Sequence, residues 1–272
     1  MLLKEYGKAK ARVLRPLGYE PPRELDPERN GEYRLMEWLS TRPENLNYDS
    51  IIDVGANIGA WTRAALQRFS PPVTNRIICV EPVPHFAEAV RAQFREDQRV
   101  VCREVALSDS SGFSEITIIG GGARFTGNKP YTSSENSEKA VAVHRVGFQK
   151  GDELVTTDGC KPYFIKIDCD GNDLNVLRGF SRTLLEIRPV VQFEYCDFWA
   201  VEGSRLRDAC GFLYGKGYTT FKLFPDRLRR FRFNPLFETF GYQNVVAVPS
   251  EWPSFADKNI PLRPHSATLA VA

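Results

Sequence analysis

No run of about 18 consecutive apolar residues occurs in the 272-residue chain, so no membrane-spanning helix is expected. The opening MLLKEYGKAKARVLR also lacks the uninterrupted apolar core of a secretory signal, which makes the cytoplasm the expected location. Charge of one sign is missing too. Thirty-six Lys and Arg against 34 Asp and Glu leave a net charge of +2, which gives no reason to invoke nucleic acid. The one basic concentration, Arg227, Arg229, Arg230 and Arg232, reads as a solvated face, with an acidic substrate, a membrane surface or a partner as the sharper alternatives. The six cysteines (Cys79, Cys102, Cys160, Cys169, Cys196 and Cys210) show no C-x-x-C spacing, so neither a zinc site nor a disulfide framework is suggested. Cys79 and Cys102 sit inside apolar strand patterns, where a reduced thiol acts as a small hydrophobe. There is no internal repeat.

What is present is ordinary globular material, 42% hydrophobic and 26% charged, long enough for one large domain with appendages or two small ones. Its organising stretch is IIDVGANIGAWT, 51–62. Ile51, Ile52 and Val54 bracket Asp53 in a short buried strand, Gly55 and Gly59 frame a sharp turn, and a helical pattern follows. The unpaired N–H groups of that helix point back at the turn. This makes a ligand cradle at the carboxyl end of a first strand. The spacing is D-x-G-x-x-x-G, not the G-x-G-x-x-G of a dinucleotide site. An acid before the first glycine repels a pyrophosphate but suits a sulfonium or an amino group, which favours S-adenosylmethionine over NAD.

The strand RIICVEP stops at Glu81, placed to accept hydrogen bonds from both hydroxyls of a bound ribose. PHFAEAVRAQF then gives an amphipathic helix with Phe86, Val90 and Phe94 at four-residue steps. A third strand, 100–108, ends at Ser108 and Asp109; Ala106 and Leu107 offer apolar contact to an adenine, and Asp109 an acceptor for its amino group. Residues 112–147 read as an inserted β-hairpin with a long polar loop, in which Tyr131, Ser133 and Ser134 are candidates to touch the methyl acceptor. PYFIKIDCDGND is the fourth core strand. If it continued, alternation would put Lys166, Asp168 and Asp170 on one side, and the carboxylates must emerge at its end. Lys166 is expected to pair with a carboxylate. Asn172 or Asp173 can cap the following helix. A fifth strand ends at Glu194, and after a helix stopped by Gly217 the strands YTTFKLF and YQNVVAVP close the sheet as an antiparallel pair. Between them lies a basic excursion, 225–241. Residues 1–45 form an extension in which Leu35, Met36, Trp38 and Leu39 make a short packing helix or a lid, and 251–272 form a tail.

The succession DVGANIG, VEP, ALSD, IKIDCDG and a strand ending in FE resembles the FkbM family of S-adenosylmethionine-dependent methyltransferases, over about residues 48–250. The resemblance implies a Rossmann-like class I methyltransferase fold: a mostly parallel seven-stranded sheet with an antiparallel closing strand, here with a β-hairpin insertion and an N-terminal helical extension. It implies methyl transfer to oxygen, typically a hydroxyl of a sugar or natural product. Asp53, Gly55, Asn57 and Gly59 would line the cofactor turn, Glu81 would hold the ribose, Leu107, Ser108 and Asp109 would meet the adenine, and Asp168 would lie by the methyl group. The family's usual K-I-D-V-E-G-x-E differs here, with Cys169, Asp170 and Asp173 in place of the valine and both glutamates.

An aliphatic hydroxyl is a weak nucleophile and needs a base or a metal. Asp168, Asp170 and Glu194 are the carboxylates on hand, as one base with orienting partners or together as oxygen ligands for Mg²⁺, with Lys166 among them. His144, on a strand, is a weaker alternative base, and His85 is read as loop. An interaction module without turnover and an NAD-linked oxidoreductase are the alternatives. These motifs do not identify the acceptor, a small molecule or glycan, or the oligomeric state.

Overall fold

The computed structural model describes residues 9–10, 12–14, 26–42, 44, 47–69, 75–119, 122–125 and 140–262. Tyr131, Ser133 and Ser134 lie outside them. In chain order the strands are β1 (Ser50–Val54), β2 (Arg76–Val80), β3 (Val100–Arg103), β4 (Ala106–Ser108), β5 (Gly112–Ile119), β6 (Gly122–Phe125), β7 (Ala140–Lys150), β8 (Pro162–Ile167), β9 (Val190–Tyr195), β10 (Tyr218–Phe224), β11 (Arg227–Phe231), β12 (Gln243–Pro249) and β13 (Asn259–Pro261). The helices are α1 (Pro27–Asn30), α2 (Glu32–Ser40), α3 (Ala60–Arg68), α4 (Pro84–Gln93), α5 (Gly151–Asp158), α6 (Asp173–Gly179), α7 (Ser181–Glu186), α8 (Phe198–Val201) and α9 (Leu206–Gly215).

The main sheet runs β13-β11-β10-β12-β9-β8-β1-β2-β3. Strands β9, β8, β1, β2 and β3 are mutually parallel, and β12 runs antiparallel to both of its neighbours, β9 and β10. Those seven strands are the expected closing arrangement, but the sheet has nine. The basic excursion supplies β11, antiparallel to β10, and residues expected as tail supply β13, antiparallel to β11. The arginines hid β11, in which Leu228 is buried while the arginine side chains stay partly exposed. Arg230 donates to the carbonyls of Phe255 and Ala256 at 2.8 and 3.0 Å, and Arg227 pairs with Asp226.

Parallel strands are covered on both faces, so they read as unbroken apolar runs. One face carries Ile52, Val54, Ile165 and Ile167 under Leu154, Leu177, Leu184 and Leu213 of α5, α6, α7 and α9. The other carries Ile51, Phe164 and Val246 under Leu35, Met36 and Leu39 of α2 and Ala64, Ala65 and Val90 of α3 and α4. The three α2 side chains are 0–1% exposed, each worth about 2 kcal/mol of burial; this helix is part of the core.

A second sheet, β4-β7-β5-β6, replaces the simple hairpin. The run 100–108, expected as one strand, breaks after Arg103. There β3 stays in the main sheet, while β4 leaves to pair parallel with β7, Ala106 opposite Phe148. The consecutive charges Arg103 and Glu104, both exposed, mark the departure. Residues 122–125, expected as loop, form β6 against β5. No helix among the described residues is long and apolar enough to cross a membrane.

Candidate active site

The turn between β1 and α3 is tied down from several sides. The backbone N–H groups of Gly55 and Ala56 both donate to Val80 O, at 2.9 and 3.2 Å. Gly55 has φ 79°, and a Cβ there would lie 2.0 Å from the Asp168 carbonyl oxygen. Only glycine permits that approach of β1 to the end of β8. Gly59, at φ 81°, would drive a Cβ into the Phe94 ring at 2.8 Å, so packing against the end of α4 accounts for this glycine.

Glu81, 4% exposed, closes the other side. Its Oε2 accepts the Asn57 N–H at 2.8 Å and its Oε1 the Val83 N–H at 2.9 Å. Burial pushes its pKa up, and the two backbone N–H groups pull it back. Each carboxylate oxygen keeps a second lone pair. This carboxylate borders a cleft. Its lining combines Gly55, Asn57, Glu81, Asp168, Asp170 and Asn172 with the apolar Pro82, Phe86, Val105, Ala106, Leu107 and Ile116.

Asp53 does not reach the cleft. It is fully buried beneath the turn, where Oδ2 accepts the Thr62 hydroxyl at 2.7 Å and Oδ1 lies 3.8 Å from Lys166 Nζ. Lys166 Nζ also donates to Asp168 Oδ2 at 3.1 Å. Burial alone would lower the Lys166 pKa, but Asp168 and Asp53 outweigh it and hold the ammonium above its ordinary value. Lys166 is therefore a fixed cation and no base at neutral pH.

Strand alternation ends at Ile167. Asp170 takes φ 48° and Gly171 φ 107°, so Lys166, Asp168 and Asp170 do not share a side through a continuing strand. Asp173 is fully buried at the first turn of α6 and accepts from the N–H groups of Cys169 (3.4 Å) and Gly171 (3.2 Å). Burial, and then the Asp168 charge, push it up to about 7. Asn172, expected as a cap, donates to Leu107 O at 3.1 Å and ties this loop to β4. Glu194, on β9, is pushed up to about 9 by burial and then by Asp168, Asp173 and Asp170. It is neutral at pH 7, a hydrogen-bond donor and not a ready base.

Among the described residues no three His, Cys, Asp or Glu side chains gather to hold a metal ion. Asp168, Asp170 and Glu194 thus do not form the Mg²⁺ cage considered from the sequence. His144 is on β7, its ring 6.3 Å from that of His85, and neither lines the cleft. His85 itself lies in the first turn of α4, not in a loop. Of the adenine candidates, Leu107 lines the cleft, whereas Ser108 is buried against Asp109 at 3.5 Å and Asp109 is exposed. Phe86 and Ile116 were missed as lining residues. Phe86 carried a signal, as an apolar residue in the first turn after the acid; Ile116 carried none, because it arrives on the inserted strand.

A nine-stranded sheet covered on both faces, with a glycine turn after its first strand and an acid after its second, has the class I methyltransferase architecture. The chain belongs to the FkbM methyltransferase family: the family described as "Methyltransferase FkbM domain" matches residues 53–220, more than half its length. Among solved structures it is similar to methyltransferase FkbM from Methylobacillus flagellatus KT (15% identity, TM-score 0.42, 75% of this chain and 48% of that one). It is also similar to the O-methyltransferase TomG from Streptomyces achromogenes in complex with SAM (12%, 0.45, 90% of each) and to an O-methyltransferase from Bacillus cereus in complex with SAH (12%, 0.43, 90% of each). The chain spans about half the length of the Methylobacillus structure. No curated protein matches it.

Proposed function

We propose that the chain methylates a hydroxyl oxygen of a small-molecule or glycan acceptor, such as a sugar or natural product, with Asp168 as general base. The observation that carries this reading is the position of Asp168, on the cleft wall and paired with Lys166 at 3.1 Å. The cleft suits S-adenosylmethionine: Glu81 keeps free lone pairs for ribose hydroxyls, Leu107, Phe86 and Ile116 offer an apolar slot for adenine, and the acids around Asp168 and Asp170 suit a cation. When bound, S-adenosylmethionine supplies an electrophilic methyl group on a positively charged sulfur. The protein orients the acceptor oxygen in line with that methyl, a large part of the acceleration. Asp168 Oδ takes the hydroxyl proton as the oxygen becomes a methyl ether. Lys166 balances Asp168 and Asp53 inside the sheet, and neutral Glu194 leaves Asp168 as the base.

Calorimetric titration with S-adenosylmethionine and with NAD, followed by radiolabelled methyl transfer to hydroxylated acceptors, tests the reading. S-adenosylmethionine binding and label on oxygen are expected. Binding without transfer to any acceptor would favour a module without turnover.

A further inference from the structure

The N-terminal helices bring a second polar cluster to the strand ends. Asn30 of α1 and Glu32 of α2 are 6% and 5% exposed, and they meet Asn244 of β12 and Tyr242 just before it. Antiparallel pairing sets Asn244 directly opposite Glu194, and residues so paired share a face of the sheet. The cluster therefore lies beside Glu194. Burial, then Glu194, Glu32 and Asp168, hold the Tyr242 proton more firmly than in free tyrosine.

The hydrogen bonds in this cluster have an enforced direction. A carboxylate only accepts. Glu32 Oε1 takes Asn30 Nδ2 at 2.6 Å and Asn244 Nδ2 at 3.0 Å, so both amide nitrogens must face it. Asn30 Oδ1 receives the Glu32 backbone N–H at 2.9 Å, and Asn244 Oδ1 receives Gln192 Nε2 at 3.3 Å. The second hydrogen of each amide then goes to the Tyr242 oxygen, 3.1 Å from Asn244 and 3.5 Å from Asn30. Two donors fill both lone pairs of a phenol oxygen. Its own hydrogen is left to donate, and no hydrogen bond among the described residues uses it.

We propose that Tyr242 donates this hydrogen to the methyl acceptor, and that Glu32, through Asn30 and Asn244, is the positioning residue that fixes the donor direction. This rests on the methyltransferase reading above and adds a second contact to the same site. The receiving atom is a lone-pair-bearing oxygen of a neutral group, since Glu32 and Asp168 nearby disfavour an anion. The acceptor thus carries a second oxygen besides the hydroxyl that is methylated.

The test uses the full chain with radiolabelled S-adenosylmethionine and four probes: catechol and methyl glucoside with a second oxygen, phenol and cyclohexanol without. Wild type is expected to favour the two-oxygen probes by about tenfold in kcat/KM, the scale of one hydrogen bond to a well-placed partner. Tyr242→Phe is expected to erase that preference through KM, with kcat held. Glu32→Ala removes the one oxygen that both Asn amides face, so their direction is no longer fixed, and the preference should shrink in the same way. A preference that survives Tyr242→Phe, an equal loss on all four probes, or S-adenosylmethionine binding with none of the four methylated would each overturn the proposal. Absence of S-adenosylmethionine binding would instead refute the reading beneath it and the proposal with it.

Discussion

Replacing Glu194 by Gln removes one ionisable group and keeps its size. Burial and the charges of Asp168, Asp173 and Asp170 push this carboxyl from an ordinary 4.5 up to about 9. An unfolded chain releases the proton near the ordinary value, while the folded chain keeps it. Between those pH values the native state binds more protons, so stability falls as pH rises. The contribution is fully present below pH 4.5 and is lost as pH climbs through 9. Each pH unit of separation is worth about 1.4 kcal/mol, so keeping Glu194 neutral at pH 7 costs the wild type on the order of 3 kcal/mol. A Gln side chain carries no such cost. Glu194→Gln is therefore expected to differ little from wild type near pH 4.5 and to gain about 3 kcal/mol by pH 7. Urea unfolding of both proteins at a series of pH values, without cofactor, measures the difference. A difference that stays constant with pH would refute the crowding of carboxyls at the ends of β8 and β9.

Gly55→Ala sets a Cβ against the Asp168 carbonyl and holds an L side chain at φ 79°; a lower melting temperature and a loss of about 2 kcal/mol or more are expected, and an unchanged thermal transition would contradict the close approach of β1 and β8. Glu81→Ala removes the acceptor for the Asn57 and Val83 N–H groups and should weaken S-adenosylmethionine binding by about tenfold or more in calorimetry; unchanged affinity removes Glu81 from the ribose. Asp168→Asn should bind the cofactor but lose roughly a hundredfold or more in kcat, read by radiolabelled methyl transfer; normal turnover would reject Asp168 as the base.

The central strands were legible because both of their faces are covered, so Ile51, Ile52 and Val54 or Phe164, Ile165 and Ile167 read as unbroken apolar runs. The glycine turn and the acid at Glu81 were legible because local backbone chemistry specifies them. The strands at the β13 end of the sheet were not. In β11, Arg227, Arg229 and Arg230 look like solvent-facing loop until Leu228 is found packed in the core. Partnerships across long sequence distances were equally hidden. Asp53 reads as part of a ligand turn, yet Lys166, 113 positions later in sequence, claims it within the core. The link from Glu32 to Asn244 spans 212 positions, and no local pattern announces it. Alternation misled at Asp170, where a left-handed residue ended the strand periodicity before the third charge.

A crystal structure of the chain with bound S-adenosylmethionine tests the central claim most directly. The ribose hydroxyls should lie within hydrogen-bonding distance of the Glu81 carboxylate, the adenine between Phe86 and Leu107, and the methyl group toward Asp168. Cofactor density elsewhere on the molecule, or an empty cleft at saturating cofactor, would contradict the account.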